Sequence, residues 1–195
     1  MSSFAVAAMM LAAGTLLPAA LGMGQAGTRP QGPEPQLAAV ADFQQALGTY
    51  VELRSKVTAR IKPVPNDGTP AEIDDNQRQI SQAIVGARAG ARPGAIFGPA
   101  AQAYIRARLL AEFRRPDGPA VRSSILDENP VGTPVRINGP YPDGIPLSSM
   151  PPHVLDVLPK LPEDLEYRFV GDRLILFDNH AHLVIDYIDR ALPGL

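Results

Sequence analysis

The C-terminal stretch LEYRFVGDRLILFDNHAHLVIDYI, residues 165–188, decides the fold of this chain. In its first five residues, apolar and charged side chains alternate strictly, which is the pattern of a strand with one buried face. Gly171-Asp172 then forms a two-residue turn with glycine first, as a type II′ hairpin requires. This turn predicts the cross-strand pairs Val170–Arg173, Phe169–Leu174, Arg168–Ile175, Tyr167–Leu176 and Glu166–Phe177.

For the second reversal we predict a two-residue type I′ turn centred on Asp178 and Asn179, because both residues tolerate left-handed backbone. Phe177 would then face His180. A slip of one residue would move every side chain to the other face. With this register, one face of the meander 165–170, 173–177 and 180–188 is wholly apolar or aromatic: Leu165, Tyr167, Phe169, Leu174, Leu176, Ala181, Leu183, Ile185 and Tyr187.

His180 and His182 fall on the opposite face of that meander, about 7 Å apart. Two such imidazoles can share a zinc ion or a similar divalent metal, and Asp178 in the turn is a third candidate ligand. A catalytic zinc site needs three protein ligands, however, and the strand supplies two. We interpret the histidines as ordinary polar residues, and a metal-binding protein or metal-dependent hydrolase is the alternative.

Three helices are predicted before the sheet. The first carries apolar residues at helical spacing from Val40 to Ile61 and ends before Pro63. The second opens with a capping box at Thr69–Glu72, buries Ile73, Ile80 and Ile84, and is closed by Gly90 and Pro93. The third begins near Pro99, buries Ile105, Leu109 and Phe113, and stops at Pro116. A short fourth helical turn, Val121–Leu126, is also predicted.

A proline-rich segment joins the helices to the sheet. Nine prolines lie between Pro130 and Pro162, and proline both lacks an N–H and fixes its backbone angle. We therefore predict an extended strap, with a short edge strand at Pro134–Asn138 and a helical turn at His153–Leu158.

The N-terminal segment differs from the rest of the chain. Phe4–Leu21 contains no charged residue, and Gly24-Gln25-Ala26 offers the small residues that a signal peptidase reads. We predict a signal peptide at 1–26 and a Pro/Gly-rich linker at 27–35. An uncleaved anchor and a plain hydrophobic helix are the alternatives.

Composition excludes several functional classes. The formal charge of the 195-residue chain is -2, which argues against a general nucleic-acid-binding protein. The chain contains no cysteine, which excludes disulfides, thiolate catalysis, cysteine zinc sites and a lipoprotein anchor on cysteine.

Charge is unevenly distributed along the chain. Residues 123–195 carry eleven acidic and five basic residues, whereas 77–122 carry two acidic residues against eight arginines: Arg78, Arg88, Arg92, Arg106, Arg108, Arg114, Arg115 and Arg122. One interpretation is that the two halves attract each other or that both are solvated. The other is a basic helical surface for peripheral association with an anionic membrane or envelope component.

The segment Leu165–Ile188 resembles the C-terminal end of certain predicted exported bacterial proteins without an assigned function, and YVELRSK, Tyr50–Lys56, is similar to their first helix. The resemblance implies export and a helical part followed by a β-meander. It implies no reaction. It also implies asparagine at the position of His182, which argues against a metal-binding role for that residue.

The sequence thus predicts a single α+β domain at 36–195, with a helical part (36–128), the proline-rich strap (129–162) and the β-meander (163–195). About three helices pack on a small three-stranded antiparallel sheet. Functionally, we expect an exported, non-catalytic envelope or interaction module, whose partner is an anionic envelope component or another protein. The metal-dependent and membrane-associated alternatives stay open.

Overall fold

The helices precede the sheet along the chain, and the fold is α+β as predicted. The structure, a computed structural model, describes residues 33–128, 134–141, 150–192 and 194. The predicted signal peptide and parts of the linker and strap therefore lie outside the described residues. Among the described helices, none is long and apolar enough to cross a membrane.

Four helices make up the first part of the described chain: α1 (Pro33–Thr58), α2 (Pro70–Ala87), α3 (Pro99–Phe113) and α4 (Gly118–Glu128). Helix α1 begins inside the range predicted as linker and ends three residues before the predicted Ile61. The capping box of α2 is present, because Thr69 and Glu72 each accept a hydrogen bond from the other's backbone N–H. In α3, the three predicted core residues are buried.

The sheet contains four antiparallel strands in the order β1-β4-β3-β2. They are β1 (Gly139–Pro140), β2 (Leu165–Val170), β3 (Arg173–Asp178) and β4 (Leu183–Ile188), and a short helix, α5 (Pro152–Asp156), lies between β1 and β2. The short edge strand thus lies just after the predicted Pro134–Asn138, and α5 overlaps the predicted helical turn.

The first hairpin has the predicted register. All five predicted pairs between β2 and β3 are observed. Gly171 has a φ of 60°, which the first central position of a type II′ turn requires and which glycine adopts without strain.

The predicted second turn is wrong. Asp178 ends β3 and pairs with Leu183, so the reversal spans the four residues 179–182. The reason is tertiary: the carboxylate of Asp178 is buried, and its Oδ2 accepts from Tyr50 and Arg54 of α1, while its Oδ1 accepts a hydrogen bond of 2.9 Å from the backbone N–H of Ala181 within the turn. His182 provides the left-handed residue of the turn, with a φ of 52°.

A β-bulge in β4 corrects the predicted faces further. Phe177 pairs with Val184 and Leu176 with Asp186, so Ile185 is the extra residue. After the bulge, the side chains of β4 alternate with the opposite phase. Ile188, and not Tyr187, therefore lies in the core between the helices and the sheet. Asp186, predicted on the polar face, is fully buried.

The main core lies between the helices and one face of the sheet. Phe97, from the loop before α3, stacks on Phe43 with ring centroids 5.3 Å apart and on Tyr167 at 6.3 Å. A smaller apolar cluster covers the other face and contains Tyr141, Val170, Ile175, Phe177 and Val184. Both faces of the sheet therefore carry buried apolar residues, whereas the sequence predicted a wholly apolar surface for one face only.

Candidate functional site

A cleft of about 570 Å³ opens where four separate parts of the chain meet. They are the end of α1 with the loop after it, the first half of α2, the residue before β2, and the β3–β4 turn. The apolar walls of this cleft, which we call the α1–α2 cleft, are formed by Ile61, Pro63, Val64, Ile73 and Ile80. Its polar lining residues are Thr58, Asn76, Gln77, Asp164, Asn179 and His180.

Ile73 is the most informative apolar residue of the α1–α2 cleft. The helical spacing predicted that it would be buried with Ile80 and Ile84, and this prediction is wrong, because Ile73 is 53% exposed. The residue lies in the first turn of α2, where the capping box at Thr69 fixes the helix start. Ile73 lies beside Ile61, Pro63 and Val64 in the cleft, and a continuous apolar surface of this kind in a concave region is a feature of ligand sites.

Two amide side chains on α2 are anchored by their nitrogen atoms. Nδ2 of Asn76 donates to the carbonyl of Lys62 at 2.8 Å, and Nε2 of Gln77 donates to the carbonyl of His180 at 3.4 Å. The first bond holds the loop after α1 against α2, and the second holds the β3–β4 turn against the same helix. Because a carbonyl can only accept, these contacts also assign the nitrogen and the oxygen of each amide.

Asp164 connects the α1–α2 cleft to the interior. Its backbone has a φ of 66°, and its carbonyl accepts from the N–H of Asn179 at 2.8 Å. Its Oδ2 lies 3.4 Å from Nη2 of Arg54, whose side chain is only 14% exposed. The backbone hydrogen bond joins the residue before β2 to the first residue of the β3–β4 turn. The ion pair joins the cleft to the largely buried Arg54.

Arg54 also reaches Asp178, the centre of a buried polar network. Oδ2 of Asp178 accepts from Oη of Tyr50 at 2.5 Å and lies 3.3 Å from Nη1 of Arg54. Burial, followed by the charge of Asp178 and the hydrogen bond to it, raises the pKa of Tyr50 well above its ordinary range. Tyr50 therefore stays protonated as a donor to the carboxylate, and α1 is tied to the end of β3.

A second buried carboxylate, Asp186, anchors the loop between α2 and α3. It accepts backbone hydrogen bonds from Gly94 at 2.9 Å and from Ile96 and Phe97 at 2.7 Å each. These bonds position Phe97 in its aromatic stack. The loop is therefore held by one side chain of the sheet, although its sequence, rich in glycine and arginine, predicted only a helix end and a connection.

Arg88, the residue after α2, contacts β4 and the residue before β1. Its guanidinium donates to the carbonyl of the bulge residue Ile185 at 2.8 Å and to Oδ1 of Asn138 at 2.7 Å, and it lies 5.1 Å from the ring centroid of Tyr50. Burial lowers the pKa of Arg88, while the charges of Tyr50, Asp186 and Asp178 oppose that shift. Arg88 thus provides a hydrogen-bond donor for the carbonyl of Ile185, which the bulge removes from the regular pairing of β3 with β4.

The three predicted metal ligands are not arranged as the sequence suggested. His180 lines the α1–α2 cleft, whereas the ring of His182 contacts Phe177 and Tyr141 of the smaller cluster, with centroids 5.3 and 6.3 Å apart. The prediction that both imidazoles share a strand face is therefore wrong, because the longer turn places them in the reversal itself. His182 does lie away from the main core, as predicted. Within the described ranges, no three His, Cys, Asp or Glu residues are grouped for a metal.

The eight arginines of the predicted basic surface have several different roles. Arg88 is buried, Arg78 pairs with Asp75, and Arg115 pairs with Glu112 and Asp117. Arg106 and Arg108 donate to the carbonyls of Asp189 and Val157, in the acidic half of the chain. Arg92 and Arg114 are exposed, and Arg122 is partly buried. The two contacts to the acidic half are made to backbone carbonyls and not to carboxylates. Attraction between the two halves and membrane association therefore both stay predictions.

Sequence reasoning missed the α1–α2 cleft, Arg54 and the anchoring role of Asp186. One signal was available: Asp186 is a single acid in the apolar run LVIDYI, and a lone carboxylate in such a strand is often a buried acceptor. No comparable signal marked Arg54, which lies on a helix face between apolar positions. In comparisons with protein-family models, curated proteins and solved structures, nothing matches the chain.

Proposed function

We propose that the protein is an exported bacterial binding module without catalytic activity, and that the α1–α2 cleft is its ligand site. Export is supported by the uncharged segment Phe4–Leu21 and by the resemblance to predicted exported proteins. The binding role rests on one observation: Ile73 is 53% exposed within a cleft of about 570 Å³ that polar groups surround.

The contacts of the two buried aspartates, Asp178 and Asp186, support a non-catalytic role. Asp178 and Asp186 have their oxygens directed at a tyrosine, an arginine and backbone amides. Such contacts hold elements of the fold together and keep these carboxylates away from a ligand in the cleft. Recognition there would depend on the apolar walls and on the exposed polar groups.

The binding role can be tested by crosslinking in the exporting cell. An aliphatic diazirine amino acid replaces Ile73 in the full chain, and the same residue replaces Leu37, an apolar control that is 69% exposed on α1 outside the cleft. We expect a discrete photoproduct from position 73 alone, and its loss when His180→Ala is added to the same chain. Equal products from both positions, or none from position 73, would contradict the proposal.

Export is tested separately by the mass of the purified protein. Cleavage near Ala26 predicts a product that begins at about Gly27 and is found outside the cytoplasm. A product of full mass retained in the cytoplasm would overturn this part of the proposal and leave the crosslinking result unaffected.

A further inference from the structure

We infer that the α1–α2 cleft recognises an alkylammonium group, that is, a ligand with an apolar stem and a primary ammonium head. The side chain of lysine in a partner protein and a free alkylamine share this chemistry. The inference rests on the proposed function, because it names the class of ligand for the same cleft.

The hydrogen-bonding polarity of the cleft points to a donor. One N–H of each side-chain amide of Asn76 and Gln77 is used on a backbone carbonyl, and Oδ1 of Asn76 and Oε1 of Gln77 can accept from a ligand. Among the described residues, no group donates to these two oxygens. A ligand that binds beside α2 can therefore donate to these oxygens, and a primary ammonium brings three N–H groups.

The charge of the cleft points in the same direction. Asp164 is the single carboxylate among its lining residues, and neither lysine nor arginine lines it. Oδ2 of Asp164 faces Arg54, whereas the side chain as a whole is 53% exposed, so Oδ1 remains for a cation. Arg54 itself lies behind the carboxylate and is largely buried, and it also contacts Asp178.

The start of α2 does not provide a competing anion site. A free helix N-terminus would attract a carboxylate or phosphate. Here the hydroxyl of Thr69 caps the N–H of Glu72, and the carboxylate of Glu72 accepts from the N–H and hydroxyl of Thr69. The positive end of the helix is thus occupied by the helix's own carboxylate rather than open to an anionic ligand.

The apolar walls account for the stem of the ligand. Ile61, Val64 and Ile73 line the cleft together with Pro63 and Ile80. A flexible alkyl chain covers such a surface while its charged head stays at a polar rim, as lysine side chains do in proteins. A compact ammonium ion without a stem would leave Ile73 in water, so we expect the stem to contribute to affinity.

The test is an NMR titration of the ¹⁵N-labelled mature protein with three probes of equal length: pentylamine, pentanol and pentanoate. We expect saturable shifts of the side-chain amides of Asn76 and Asn179 with pentylamine, weaker shifts with pentanol and none with pentanoate. Equal or stronger binding of pentanoate, or absence of pentylamine binding, would overturn the inference. The crosslinking result at Ile73 judges the ligand site independently of these probes.

A matched pair of variants tests the role of the carboxylate. Asp164→Asn keeps the side-chain volume, and asparagine tolerates the left-handed backbone at this position. We expect it to weaken pentylamine binding about fivefold, as for one exposed ion pair, and to leave pentanol binding unchanged. Glu163→Gln removes an adjacent exposed charge outside the cleft and should have a smaller effect. Equal losses in both variants would show that Asp164 makes no direct contact and would overturn the inference.

The two sources of the ligand are distinguished by a further probe, lysine with both backbone ends blocked as amides. If it binds at least as tightly as pentylamine, the alkylammonium belongs to a protein partner. If the backbone amides abolish binding while pentylamine still binds, the ligand is a free amine. Either result supports alkylammonium recognition.

Discussion

Substitution of Asp186 should destabilise the protein more than any exposed acid does, because three backbone amides of one loop depend on this carboxylate. Asp186 is fully buried and accepts from Gly94, Ile96 and Phe97. In Asp186→Ala these amides lose their acceptor, and the stack of Phe97 on Phe43 and Tyr167 loses its support.

The expected magnitude follows from these contacts. A hydrogen bond to a charged acceptor contributes about 1.5–3 kcal/mol, while desolvation of the carboxylate costs several kcal/mol that the alanine variant recovers. We therefore expect Asp186→Ala to lower the free energy of unfolding by about 3–5 kcal/mol, a large fraction of the 5–15 kcal/mol that is typical of domains. Asp186→Asn retains one acceptor oxygen, which can replace Oδ2 for Ile96 and Phe97 but leaves the N–H of Gly94 without an acceptor, and it should cost about 2–4 kcal/mol.

The assay is urea unfolding followed by circular dichroism, with hydrogen exchange of the Ile96 and Phe97 amides as the local measurement. The control is Asp127→Asn, because Asp127 is an exposed acid on α4. If Asp186→Ala costs less than about 1 kcal/mol, or no more than the control, the carboxylate does not hold this loop and the reasoning is refuted.

Three further predictions concern other contacts. Thr69→Ala removes the cap of α2 and should cost about 1 kcal/mol of unfolding free energy in the same assay; no change would contradict the capping geometry. The pKa of Tyr50 is raised above its ordinary value of 10.0, so the unfolded state ionises first and stability should fall as the pH rises above about 10. Tyr50→Phe should reduce this alkaline slope, to which the raised pKa of the buried Tyr167 also contributes, and an unchanged slope would argue against the buried hydrogen bond to Asp178. Elemental analysis of the mature protein should show no stoichiometric metal; one equivalent of zinc, lost in a His180→Ala/His182→Ala double variant, would restore the metal-binding alternative.

The first hairpin was predictable because its register depends on neighbouring residues. Gly171-Asp172 permits one tight turn, and strict alternation in β2 permits one buried face, so two local rules agree on the same pairs. The helix starts at Pro70 and Pro99 were predictable for the same reason, since caps and prolines act within one turn of a helix.

The second hairpin could not be predicted, because distant residues decide it. Local rules favour Asp178 in a tight turn, but Tyr50 and Arg54 lie 128 and 124 residues earlier in the chain and bind its carboxylate in the core. The bulge at Ile185 likewise depends on Arg88, which is 97 residues away. Patterns of period two contain no information about such partners.

The candidate site has the same dependence on distant residues. Ile73 satisfies the helical pattern of a buried stripe, yet it is 53% exposed, because the loop after α1 and the β3–β4 turn meet α2 on either side of the cleft. Whether such an apolar residue is exposed or buried depends on how these segments pack against α2. The sequence therefore supplied the residue types of the cleft without showing that they meet.

The position of Asp178 links the fold to the proposed site. Its Oδ2 binds Tyr50 and Arg54 in the core, and its Oδ1 holds the N–H of Ala181, which extends the reversal to four residues. A tight turn would have kept His180 on the strand face beside His182. Because the turn is longer, His180 lines the α1–α2 cleft instead. The contact that separates the two imidazoles thus also builds one wall of the ligand site, so a residue that anchors Asp178 should influence ligand binding without touching the ligand.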